Sequence, residues 1–357
     1  MTINDVAREL GMTKSTVSRA LNGYPDISES TQLRVREAAQ SLGYRPLANA
    51  QAIRTGRLRA IGLVLQLNEH DRHRPFLADF LAGISEAASA ADWTITVATA
   101  TSDEDTLRLL CKLADEHKAD GFIVPRTLWD DRRVTFLREA HVPFVLYGRT
   151  GNSDGCAWFD IASETATQNA VELLHDLGHR RIGFIPGGRQ YTYSRLRLEG
   201  YKAGLKRVGI PFDPDMVSRS ALNPDEGGEA VVQLLSLKQP PTAIVSSIDR
   251  AALGAYAAAR KCGLQIGSDI SLISYDGIEE GELMTPALTT FSADVHLAGV
   301  RLTELLIKRI NGVPPEALRE LRPATFVARQ SHGPMTRTPE EIAAIVSRAK
   351  NKVEEKQ

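Results

Sequence analysis

The chain of 357 residues is poor in the features that mark membrane and secreted proteins. Three cysteines, Cys111, Cys156 and Cys262, stand far apart and in odd number. They form neither a disulfide framework nor a C-x-x-C knuckle, so a reducing cytoplasm is the expected setting. The longest apolar stretch, residues 251–259, falls far short of the ~18–20 residues that a membrane span needs. The polar start Thr2, Asn4, Asp5 offers no basic leader and no apolar core behind it, so no secretory signal is expected. Enzyme signatures are equally scarce: there is no G-x-x-x-x-G-K-[ST] loop, no G-x-S-x-G elbow and no G-x-G-x-x-G after the first strand of the body. His70 and His73 have the separation of helical metal ligands, but they stand in a run that reads as a polar loop. Asp130–Asp131 and the pair Asp249 and Asp276 lack a nucleophile partner. The expectation is a chain without catalysis, metal or cofactor. With 43% hydrophobic and 24% charged residues it suits two or three globular domains.

The net charge of −1 hides an asymmetry. Residues 1–57 hold eight Lys/Arg against five acids, and the remainder is mildly acidic. A basic head on an acidic body suits a polyanion-binding module joined to something else. The head reads as three helices. Thr2 caps a helix over 3–10, Gly11 stops it, Thr13 caps a second over 14–21, and Ser28 opens a third that ends near Gly43. Two short helices joined by a glycine turn, completed by a third, make a helix-turn-helix. Its second helix leaves Lys14, Ser15, Ser18, Arg19 and Asn22 on the outer face. A major groove accepts such a helix; Lys14 and Arg19 can donate to guanine edges, and Thr16, Ser18 and Asn22 suit phosphate oxygens.

The run Ile3-Asn4-Asp5-Val6-Ala7, then Gly11-Met12-Thr13, then Thr16-Val17-Ser18-Arg19-Ala20-Leu21-Asn22 closely resembles the head of LacI/GalR-family transcriptional regulators. Ile27-Ser28, Thr31, Val35 and Leu42-Gly43-Tyr44-Arg45-Pro46 continue the match. The resemblance implies that Lys14, Ser15 and Arg19 read bases, and that Thr2, Thr16, Ser18, Asn22, Ser28, Thr31 and Tyr44 contact the backbone of double-stranded operator DNA. Residues 46–58 read as a linker or a hinge, with a potential two-turn helix over 47–53 too short to be stable alone. By the same resemblance they form a hinge helix in the minor groove, with Ile53 in the place of the leucine that wedges between base steps.

From residue 59 onward strand-like runs at 61–65, 94–98, 121–124, 144–147, 182–185, 243–246 and 270–274 alternate with helical periods. This pattern indicates parallel sheets covered on both faces, with ligand clefts at the carboxyl ends of the strands. The body also matches the family at Leu177-Gly178-His179-Arg180-Arg181-Ile182, Ser194-Arg195-Leu196-Arg197, Asp249-Arg250-Ala251-Ala252 and Ser274-Tyr275-Asp276. The implied fold is an all-α helix-turn-helix head plus a two-lobed, periplasmic-binding-protein-like α/β core with parallel sheets. The expected boundaries are 1–45 for the head, 46–58 for the hinge and 59–331 for the core, followed by a tail at 332–357 with a possible helix. Lobe one would take 59–159 and 291–320, and lobe two 160–290 and 321–331.

Arg197 and Asp276 stand at positions that bind effector in the family, and guanidinium and carboxylate each engage neighbouring sugar hydroxyls. Phe76, Trp158 and Tyr193 offer flat faces to a pyranose; Arg126 and Arg149 follow strands; Asp249 belongs to the same set. Ile248 replaces a common asparagine and Gly148 a common aspartate, and the stretch 143–150 looks most like members tied to α-glucosides and other oligosaccharides. The expected protein is a homodimer, or a tetramer if the tail forms a coil, that represses sugar-utilisation genes under control of a small sugar. The alternative is a cytosolic sugar-binding protein whose head contacts another protein.

Overall fold

A computed structural model describes residues 1–44, 57–67 and 75–354, with the side chains of residues 75, 76 and 352–354 outside that description. It divides into two compact units, Met1–Arg59 and Ala60–Gln357.

The first unit is trihelical: α1 (Ile3–Leu10), α2 (Lys14–Leu21) and α3 (Glu29–Ser41). The Asp5 carboxylate accepts from the Thr2 amide at 2.8 Å, and these bonds from Thr2 hold its pKa below the usual carboxylate range. Gly11 ends α1 at φ 61°, a left-handed conformation that a Cβ would penalise. Thr13 accepts the amide of Thr16 at 3.1 Å and Ser28 that of Thr31 at 3.3 Å, capping α2 and α3. Val6, Val17, Ala20 and Val35 are fully buried where the three helices meet, with Ala7 and Ala39 beside them.

The second unit holds two sheets. The first orders its strands β2 (Thr94–Ala100), β1 (Ala60–Gln66), β3 (Gly121–Val124), β4 (Phe144–Tyr147), β5 (Ala157–Ile161) and β10 (Arg319–Arg322), all parallel. The second runs β6 (Ile182–Ile185), β7 (Ala243–Ser246), β8 (Ser271–Asp276), β9 (Thr289–Ser292) and β11 (Thr325–Val327). Its last strand is antiparallel to β9, an edge that the all-parallel expectation omitted. The chain thus passes between lobes after β5, after β9 and after β10, each a residue or two beyond the boundaries read from sequence.

The helices are α4 (Pro75–Ala90), α5 (Asp103–Asp115), α6 (Arg132–Glu139), α7 (Ser163–Asp176), α8 (Thr192–Arg207), α9 (Pro224–Leu235), α10 (Asp249–Lys261), α11 (Val295–Ile310) and α12 (Pro339–Glu354). Closely packed pairs explain mid-helix glycines that propensity disfavours. A Cβ on Gly200 of α8 would lie 2.1 Å from the Glu164 carbonyl of α7, and one on Gly254 of α10 would lie 1.8 Å from Pro224 of α9. In the tail, α12 lies on the second lobe: Ile342 and Val346 are buried among Leu234, Leu235, Cys262 and Leu264. Among the described residues, no helix is long and apolar enough to cross a membrane.

Candidate functional site

Two surfaces carry chemistry. On the head, Lys14, Ser15 and Arg19 of α2 are exposed together, as an amphipathic helix with Val17 and Ala20 inward must leave them. Of the expected backbone contacts, Thr2 and Ser28 are exposed, while Thr16, Ser18, Asn22, Thr31 and Tyr44 are half-buried. Several already serve the fold. The Asn22 amide donates to the Ser18 carbonyl at 2.6 Å, the Thr16 hydroxyl lies 2.8 Å from that of Thr13, and Tyr44 packs on the trihelical core. Ile53 and residues 46–56 of the expected hinge fall outside the described residues, as do His70 and His73.

On the body, α8 delivers Arg197 into the space between the lobes, where it is only 7% exposed. Its guanidinium lies over the Tyr275 ring at 3.7 Å and over the Tyr193 ring at 4.7 Å. Nη1 donates to the Ser247 carbonyl and stands 3.6 Å from the Asp276 carboxylate. Tyr193 stacks on Tyr191 at 5.5 Å between centroids, and Arg126 covers the Tyr191 ring at 5.1 Å. Two arginines and three rings therefore run from one lobe to the other, each cation against a π face. Four buried polar atoms in this region, Arg197 Nε, Ser247 Oγ, Thr192 Oγ1 and Tyr275 OH, have no hydrogen-bond partner. Buried donors left open in this way cost free energy unless something else engages them. A cavity of about 200 Å³ lies next to the array, lined in part by Leu65, Leu67, Phe80, Arg126 and Tyr191.

Asp249 is fully buried and works one step behind Asp276. Its carboxylate accepts from the amides of Gly277 (2.8 Å) and Ile278 (3.0 Å) and from the Thr290 hydroxyl (2.8 Å). Burial pushes its pKa up against the pull of these donors. The bonds brace a strained turn, since Asp276 has φ 130° and Gly277 φ 83°. Asp249 thus holds Asp276 in place with its own oxygens already engaged, in place of the direct ligand contact expected for it.

Trp158 does not join the array. In β5 successive side chains alternate between faces. Ala157 and Phe159 enter the interlobe core, so Trp158 turns to the opposite face, against the cluster that holds Leu146 and Cys156. Arg149, 5.9 Å above its ring, is tied to Asp160 at 2.7 Å and Glu164 at 2.9 Å. The Phe76 side chain lies outside the described residues.

Sequence reasoning passed over Tyr191, Thr192, Ser247 and Tyr275, and also the bridge between the lobes. Leu128 pairs with Tyr191 in an isolated antiparallel bridge, the Thr192 amide donates to the Thr127 carbonyl at 3.0 Å, and Arg195 lies 3.9 Å over the Trp129 ring. The cluster Tyr191-Thr192-Tyr193 at the mouth of a helix was the available signal. Among the described residues, no group of three His, Cys, Asp or Glu side chains could hold a metal ion.

A helix-turn-helix with a polar exposed face, encoded ahead of a two-lobed body with a buried arginine–tyrosine array beside a cavity, defines a ligand-responsive DNA-binding regulator. The model for bacterial regulatory proteins of the lacI family matches residues 2–47, and that for a periplasmic binding protein-like domain matches residues 171–332. The chain is 34% identical to the HTH-type transcriptional regulator AglR of Rhizobium meliloti (strain 1021), over 93% of this chain and 94% of that protein. It is similar to a solved CelR–cellobiose complex (TM-score 0.72, 28% identity, 93% and 99% of the two chains). It is also similar to the Lac repressor dimer bound to operator and the anti-inducer ONPF (TM-score 0.79, 26% identity, 93% and 99%). The chain belongs to the LacI family of transcriptional regulators.

Proposed function

We propose that this regulator acts as a cytoplasmic homodimer, represses its target genes by binding operator DNA through the head, and responds to a neutral sugar held between the lobes. Base reading falls to Lys14, Ser15 and Arg19; Thr2, Thr16, Ser18, Asn22, Ser28, Thr31 and Tyr44 serve the phosphates, and Ile53 the minor groove. The observation that carries the effector reading is the buried Arg197, with Nε unpartnered and the guanidinium between two tyrosine rings beside Asp276. A guanidinium and a carboxylate of opposite charge suit vicinal hydroxyls, and the rings suit the apolar face of a pyranose. The cellobiose held by the CelR structure supports a sugar over other small molecules.

Arg197, Asp276 and Tyr193 belong to the second lobe and Arg126 to the first, so a ligand engaging both sets changes the free energy of closure. Asp249 supports the ligand through the Asp276 turn. The sugar acts on DNA only through its differential affinity for two arrangements of the lobes, and operator must alter sugar affinity by the same factor. Domain limits at 1–45, 46–58, 59–331 and 332–357 follow this division of labour. The test is titration of the full-length protein with a panel of neutral mono- and disaccharides, with and without operator. A sugar that binds and shifts operator affinity supports the reading; a panel that neither binds nor shifts it contradicts the sugar assignment.

A further inference from the structure

The exposed face of α2 holds one contact that DNA reading by Arg19 alone does not require. Arg19 Nη2 donates to the Asp26 carboxylate at 2.5 Å, and its guanidinium lies 4.8 Å over the Tyr24 ring. Both side chains are about half exposed, so the pair adds little to stability. A carboxylate at this place also lies toward the polyanion that the head binds, where it repels phosphate. Its retention in the DNA-facing surface calls for a role in recognition.

The loop carrying the pair is firmly built. Gly23 turns at φ 66°, and the Tyr24 amide donates to the Arg19 carbonyl at 3.2 Å. Gln32 of α3 donates to the carbonyls of Tyr24 (3.2 Å) and Ile27 (3.0 Å), and Ile27 packs into the trihelical core. The loop is therefore a firm platform that orients the long Arg19 side chain before any DNA arrives. A guanidinium has five N–H donors in a planar fork; with one spent on Asp26, the remaining edge still suits the O6 and N7 of guanine. Ordering it in advance removes part of the rotamer entropy that binding would otherwise cost.

We propose that Asp26 is a positioning residue, fixing the plane in which Arg19 reads a guanine, with Tyr24 as the surface beneath it. The proposal rests on Arg19 as a base reader. The full-length protein is first used to select duplexes from a pool with a randomised core. Affinity is then measured for the four base pairs at each selected position, for wild type, Arg19→Ala, Asp26→Asn, Asp26→Glu and the double variant Arg19→Ala/Asp26→Asn. Asp26→Asn is expected to reduce the preference for guanine at the Arg19 position about tenfold, within the range of one bidentate base contact. Asp26→Glu should restore part of the preference, and Asp26→Asn should have no effect on it once Arg19 is alanine. Uniformly tighter binding to all duplexes by Asp26→Asn, with the guanine preference intact, would overturn the proposal and make Asp26 a mere repulsive charge. If Arg19→Ala alone leaves every preference intact, the base-reading assignment of Arg19 itself has failed and the role of Asp26 falls with it.

Discussion

Replacing Arg197 by methionine separates the effector site from the DNA-reading head. Methionine fills much of the volume of the arginine stem between Tyr193 and Tyr275 but carries no charge and no donor. The bond to the Ser247 carbonyl, the pairing with Asp276 at 3.6 Å, the cation–π contacts with Tyr275 and Tyr193, and whatever accepts from the unpartnered Nε all disappear. The Asp276 side chain is 38% exposed and remains solvated, so the fold should persist. A hydrogen bond from a charged donor contributes about 1.5–3 kcal/mol. Losing one or two of them on the ligand predicts a loss of about 2–4 kcal/mol, or roughly 30- to 1,000-fold in sugar affinity. Calorimetric titration with the sugar found in the panel gives that number. Retardation of operator duplex in the absence of sugar should match wild type, and addition of sugar should no longer shift it. Wild-type sugar affinity in Arg197→Met would refute the reasoning, because no buried, ring-flanked arginine with a ligand contact can be removed without cost.

Other consequences are independent of that site. Asp249→Ala strips the acceptor from two amides and a hydroxyl, which predicts at least about 3 kcal/mol of lost stability together with weaker sugar binding; an unchanged urea midpoint would contradict the bracing role. Ile342→Ala opens a hole where α12 packs on the second lobe and should cost about 2–5 kcal/mol in chemical denaturation, whereas a loss below about 0.5 kcal/mol would show that the helix is not docked. His179 is held by Thr242 (2.9 Å), Ser271 (3.1 Å) and the Gly333 carbonyl (3.0 Å), and burial lowers its pKa. The unfolded chain therefore takes up the proton first on acidification. Its stabilising contribution is complete above the ordinary imidazole value of about 6.5 and is lost as the pH falls below it. Urea midpoints measured at about pH 7.5 and 5.5 should fall further for wild type than for His179→Gln; parallel losses would reject the assignment.

The sequence disclosed the head almost residue by residue, because its signals are local: Thr13 and Ser28 as caps, Gly11 as a left-handed stop, and polar residues on one side of α2. The buried strands β3, β4, β6 and β7 were equally plain as short apolar runs. Strands β10 (Arg-Glu-Leu-Arg) and β11 (Thr-Phe-Val) were not, since an edge strand is defined by the partner it pairs with and carries no run of its own. Helix α11 was passed over although Asp294 caps it, and it fills the gap between α4 and the first sheet.

At the candidate site, the structure gathers Arg197, Asp276, Tyr193 and Arg126 into one array; the first two were expected there through the family resemblance, Tyr193 as a loop-borne ring and Arg126 as an arginine following a strand. Trp158 misled because an aromatic was weighed without the strand face it occupies. Asp249 was placed in the right neighbourhood, but its donors lie 28 to 41 residues away, on β9 and the turn after β8. Tyr275 and Ser247 became visible only when the ends of β8 and β7 were brought under Arg197.

The central claim is that the head of this chain grips DNA and that a sugar between the lobes controls the grip. One titration addresses both parts: binding of the full-length protein to its selected duplex across a salt series, repeated with saturating sugar. The account predicts that affinity falls steeply and linearly on logarithmic axes as salt rises, with a slope of about −0.9 per phosphate contact. Sugar should displace the whole line. A protein that retains no duplex even at low salt would contradict the claim outright, and a line that sugar leaves unmoved would contradict the coupling.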